Sequence, residues 1–82
     1  MRVLQLFYSS DSEACRRTLR MLEELVERED EELVLVANDV GTEEGRMKAQ
    51  EFEISTVPTT VVDGDRIIRG VPQSPEQVLE DR

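Results

Sequence analysis

Between residues 3 and 37 an apolar strand pattern, an amphipathic helix pattern and a second strand pattern follow one another with little chain between them, and few folds accept that order. Val3 to Tyr8 (VLQLFY) is apolar and aromatic enough for a buried strand, and the Ser9-Ser10-Asp11-Ser12 cluster after it is a turn able to cap a helix. From Ala14 onward Thr18/Leu19, Leu22, Leu25 and Val26 recur at spacings of three and four, while Arg16, Arg17, Arg20, Glu23, Glu24 and Glu27 fill the positions between. Such a pattern predicts an amphipathic helix of about four turns. Beyond the charged connection Glu27 to Glu32, the run Leu33 to Ala37 predicts a second buried strand. Two strands joined by a helical crossover pair in parallel with a right-handed connection.

The rest of the chain supplies one more helix, a hairpin and a terminal helix. Thr42 followed by Glu43 and Glu44 is a helix start, with acids where the backbone dipole favours them, and the helix is expected to run to about Phe52. Thr59 to Val62 and Arg66 to Arg69 flank Asp63-Gly64, a dipeptide that tolerates the positive φ of a tight hairpin. Ser74-Pro75-Glu76-Gln77 has the spacing of a capping box with Pro at the first helical position. Met21 and Met47 sit at helical spacing and are expected to fill core gaps. The chain has 82 residues, which allows one domain spanning 1–82 and a thin core. The expected class is α/β, with a four-stranded mixed sheet and helices on both faces.

Charge and composition remove whole classes of function. Nineteen acidic against ten basic residues give a net charge of −9, and Lys48 is the only lysine. A surface of that sign disfavours a nucleic-acid backbone, and it stays hydrated at high ionic strength where self-repulsion is screened. His is absent and Cys15 is the only cysteine. That excludes an internal disulfide, a Cys/His zinc site within one chain and any His-dependent triad, so neither a metal nor a cofactor is expected. The longest uninterrupted apolar run, Leu33 to Ala37, is far short of the ~20 residues that span a bilayer. With no signal-peptide pattern in MRVLQLFY, the chain is expected to be a cytoplasmic monomer with no membrane contact.

Two junctions carry the chemistry: Ser12-Glu13-Ala14-Cys15 after the first strand, and Thr56-Val57-Pro58-Thr59 before the third. Together with the order strand, helix, strand, helix, strand, strand, helix, they resemble the thioredoxin/glutaredoxin superfamily, and most closely its small glutaredoxin-like redoxins of archaea and bacteria. The resemblance covers essentially the whole chain and implies the βαβαββα thioredoxin fold. In that family the turn into the first helix carries Cys-x-x-Cys, the first thiol being the nucleophile and the second the more shielded, resolving thiol. Here Ser12 stands at the first position and Cys15 at the second. A thiol at a helix N-terminus gains thiolate character from the unsatisfied amides, whereas a hydroxyl gains far too little, and without His nothing activates Ser12 as a nucleophile. Ser12 is expected to cap the helix.

The resemblance further implies that Pro58 is cis and that Val57, with Thr56, presents free backbone groups to an extended peptide or to glutathione. Its partners would be protein or small-molecule thiols and disulfides. Two departures stand out. Thioredoxins proper bury an Asp in the first strand, where Val3 to Tyr8 offers only Gln5. Glutaredoxins hold glutathione with a Gly-Gly and an Asp after the fourth strand, where this chain has Gly70-Val71-Pro72-Gln73-Ser74, which counts against glutathione. Ser for Cys is nearly isosteric and is the exchange used to disable or trap such a site. The chain therefore reads as an oxidoreductase of this lineage impaired in dithiol exchange, natural or engineered, or as a redox-silent binding module using the Pro58 groove.

Overall fold

The computed structural model describes residues 2–29 and 33–79. Its elements follow the expected order: β1 (Arg2–Tyr8), α1 (Glu13–Arg28), β2 (Leu33–Asp39), α2 (Glu43–Glu51), β3 (Thr59–Val62), β4 (Arg66–Arg69) and α3 (Pro75–Leu79). They build one four-stranded sheet in the order β2-β1-β3-β4. β1 and β2 are parallel over seven unbroken pairs, Arg2 with Leu33 through Tyr8 with Asp39. β3 runs antiparallel to β1, and β4 antiparallel to β3.

Strand alternation divides the sheet into two faces. Leu4 and Leu6 of β1, Val62 of β3 and Ile68 of β4 point to one side and pack with Leu22 and Leu25 of α1 and Val78 of α3. Burying each of these leucines is worth about 1.5–3 kcal/mol relative to exposure. Phe7 and Val61 point to the other side and meet Ala49 of α2, with Val40, Phe52, Ile54 and Val57 around them. Phe7 and Phe52 sit at a tilted ring geometry with centroids 5.7 Å apart. Helices therefore cover both faces, α1 and α3 on one and α2 on the other.

The hairpin closes as Asp63-Gly64 requires, with φ of 53° and 81° at the two central residues and Asp65 N–H donating to Val62 O at 3.2 Å. Asp63 also stitches the turn to β1: its N–H donates to Val3 O at 2.8 Å, and its Oδ1 accepts from Val3 N–H at 2.9 Å. The five-residue α3 is too short to stand alone, and two arginines cap its C-terminal carbonyls. Arg66 Nη2 donates to Gln77 O and Val78 O at 3.0 and 2.7 Å, and Arg2 Nη1 to Leu79 O at 2.8 Å.

Three expectations are corrected. β2 is not a buried strand: it lies at the edge of the sheet, and Val34 is 40% exposed. Met47 is not a core residue, being 60% exposed. α2 packs through Gly45 and Ala49, and Met47, two residues from each, is carried about 200° around the helix to the open side. The capping box at α3 does not form reciprocally, because Gln77 Oε1 accepts from Gln73 N–H at 2.8 Å rather than meeting Ser74.

Candidate functional site

The site is assembled by strand ends. β1 and β2 are parallel, so Tyr8 and Asp39 finish at the same end of the sheet, where Val40 N–H donates to Tyr8 O at 2.9 Å. β3 is antiparallel to β1 with Phe7 opposite Thr59, so Pro58 enters the sheet at that same end. β4 leaves there too, and Gly70 N–H donates to Pro58 O at 2.8 Å. The turn carrying Ser12 and the segment Thr56-Val57-Pro58 are thus gathered at one sheet end, as the C-terminal edges of parallel strands gather ligand sites in open α/β folds.

Ser12 is the N-cap of α1. Its backbone is extended, with φ −102° and ψ 127°, and its Oγ accepts from Cys15 N–H at 3.2 Å. The turn before it is closed by Ser12 N–H donating to Ser9 O at 3.1 Å, and Arg16 Nη1 braces it by donating to Ser10 O at 2.7 Å. Cys15 lies one turn into the helix and is wholly buried as a free thiol. Neighbouring Thr18 is buried as well and donates its hydroxyl to Ala14 O at 2.9 Å. Ser12 is half-buried, so of the two positions it is the one nearer solvent.

The Val57–Pro58 peptide bond is cis. Pro58 is buried, Val57 half-buried and Thr56 exposed. Among the described residues neither the N–H nor the C=O of Val57 has a hydrogen-bond partner, which leaves both available to an incoming backbone. Two further residues position this segment, and of them only the role of the Thr59 hydroxyl escaped the sequence reading. Thr59, itself buried, donates its hydroxyl to Thr56 O at 2.8 Å and sets the loop, while Gly70 adopts φ 81° and turns its N–H onto Pro58 O. A Thr in a β-rich run carries no signal for the former; a Gly directly after the fourth strand is a usable signal for the latter. Gln5 points to the α2 side of the sheet, where its Oε1 is buried with no hydrogen-bond partner among the described residues.

A crossover βαβ unit joined to an antiparallel hairpin, with a capped helix N-terminus and a cis proline at the same sheet end, defines a thioredoxin-fold protein. Solved structures agree. The chain is similar to thioredoxin-2 of the malaria parasite at a TM-score of 0.81 and 14% identity, covering 96% of this chain and 79% of that one. It is also similar to a mutant thioredoxin from Halobacterium salinarum at 0.77 and 26% identity over 94% of this chain and 67% of that one. Mitochondrial thioredoxin 3 from Saccharomyces cerevisiae, in its oxidised form, matches at 0.76 and 23% identity over 95% and 73%. No protein-family model and no curated protein sequence matches the chain. The chain thus has the thioredoxin fold, and these neighbours support its place in the thioredoxin superfamily.

Proposed function

We propose that this protein is a thioredoxin-like oxidoreductase whose site has kept its partner-binding half and lost its electron-transfer half, leaving it impaired in dithiol exchange. Ser12 is the observation that carries this. Its Oγ is engaged in capping α1, it forms no disulfide, and the sequence has no His to activate it. Cys15 is wholly buried and out of reach of a substrate disulfide. The free backbone groups of Val57 beside Pro58 supply the other half, an edge on which an extended partner segment can pair. The likeness to the Halobacterium salinarum thioredoxin supports the lineage; on this reading protein thiols and disulfides are the partner class, and the protein acts as a monomer in the cytoplasm.

The second reading, a redox-silent binding module, rests on the same free edge at Val57. The two separate at position 12. In the Ser12→Cys form the introduced thiolate attacks one sulfur of a partner disulfide and expels the other as thiolate. Cys15, once deprotonated, then attacks the mixed disulfide, releasing the second partner thiol and leaving an internal disulfide that an external dithiol reduces. Reduction of a small disulfide-bonded protein is measured for the unaltered chain and for Ser12→Cys with one dithiol reductant. Turnover only in Ser12→Cys is the expected result. Turnover in the unaltered chain makes Cys15 a working monothiol, and silence in both leaves the binding module.

A further inference from the structure

A second recognition surface lies on the far side of β1 from Pro58. β2 is an edge strand of seven residues, and its pairing to β1 has no bulge. Its sequence, LVLVAND, carries no proline and no charge before Asp39. Natural edge strands are ordinarily shortened, charged, bulged or covered. The opposite edge follows that rule, since β4 has four residues with Arg66 and Arg69 at its ends. β2 is long, without a bulge and uncharged before Asp39, and among the described residues no strand pairs with its outer side.

A cleft of about 750 Å³ opens beside the C-terminal half of this edge, between Ala37, Asn38 and Asp39 of β2 and the outer side of α2. Glu44, Met47, Lys48 and Glu51 line it at helical spacing, so they form one stripe of α2 facing the strand edge. Three of its charged groups are carboxylates, Asp39, Glu44 and Glu51, against the single ammonium of Lys48. Arg46, the other cation of α2, does not line it. Apolar contact is offered by Met47 in the cleft, 60% exposed, and by Val34 nearer the start of the strand and outside the cleft's lining, 40% exposed. Asn38 Nδ2 is buried there with no hydrogen-bond partner among the described residues, a donor without an acceptor.

We infer that β2 accepts an extended, basic peptide segment as a fifth strand. Its backbone pairs with the free edge, its apolar side chains lie against Val34 and Met47, and its Lys or Arg side chains meet Glu44 and Glu51. Charge selects this occupant over a second copy of the chain, because two copies paired at β2 would bring both sets of carboxylates together with a net charge of −9 on each. The surface is separate from the Ser12 site and does not depend on the redox reading.

The probe is a fluorescent peptide alternating Val with Lys and Arg, followed by anisotropy and by amide hydrogen exchange. The peptide is expected to bind, to protect amides within residues 33–39, and to weaken by about tenfold between about 0.05 and about 0.5 M salt. Methylating alternate backbone nitrogens of the peptide, or reversing charge with Glu44→Lys and Glu51→Lys together, is expected to weaken it by about tenfold or more. The inference is overturned if the peptide does not bind, if the methylated peptide binds equally well, or if protection maps elsewhere. It is also overturned if sedimentation shows the free chain dimeric with residues 33–39 already protected, which would assign the edge to a second copy.

Discussion

Gly45→Ala is the substitution that most sharply tests how the site end is packed. Gly45 is buried in the first turn of α2, where a Cβ would stand 1.9 Å from the backbone oxygen of Asp39, 2.5 Å from its carbonyl carbon and 3.1 Å from Thr42 Oγ1. Two of those atoms are backbone, so no side chain can swing aside. Relief requires α2 to move by an ångström or more from the end of β2, and Asp39 O there accepts from Thr42 N–H at 3.0 Å and Thr42 Oγ1 at 2.7 Å. Overpacking costs about 1–3 kcal/mol, and each weakened hydrogen bond about 1 kcal/mol. Against this stands the helix preference for Ala over Gly, about 1 kcal/mol. The balance is a loss of about 2–4 kcal/mol, a large share of what so small a domain holds. Urea unfolding followed by circular dichroism measures it, with Gly41→Ala as the control. There the nearest atom is the end of the Asp39 side chain at 3.1 Å, and the expected change is within about 0.5 kcal/mol. A Gly45→Ala protein as stable as the unaltered one would refute the packing argument.

Other expectations follow from the cap and from charge. Ser12→Ala removes the acceptor for Cys15 N–H and should lower stability by about 1 kcal/mol, a fall of about 4–8 °C in Tm; an unchanged Tm would mean the cap is not holding α1. Raising KCl from about 0.05 M to about 2 M should raise Tm by several degrees as self-repulsion among the net −9 is screened, and a fall in Tm across that range would contradict it.

What the sequence made legible was whatever has a local cause. Asp63-Gly64 demands its hairpin, Ser12 and Thr42 cap their helices with Oγ, and the three-and-four spacing through Leu22 and Leu25 marks the buried stripe of α1. The site end was legible because two junctions have recognisable residues, Ser12 to Cys15 and Thr56 to Thr59. What was hidden depends on neighbours distant in the chain. LVLVA has the composition of a central strand, and only the sheet order puts it at an edge. Met47 looked like core because the spacing does not say which side of α2 meets the sheet, a choice made by the close approach at Gly45. The Thr59 hydroxyl on Thr56 O belongs to the same class, visible only once the loop has its shape.

The central claim is that position 12 is the missing half of an otherwise complete dithiol site. Its most direct test is a redox titration of the Ser12→Cys protein, with the mass difference of two hydrogens and the count of free thiols read at each poise. A single two-electron couple is expected, in which position 12 and Cys15 close one internal disulfide. Two thiols that stay independent across the whole range, with Cys15 protected throughout, would contradict it.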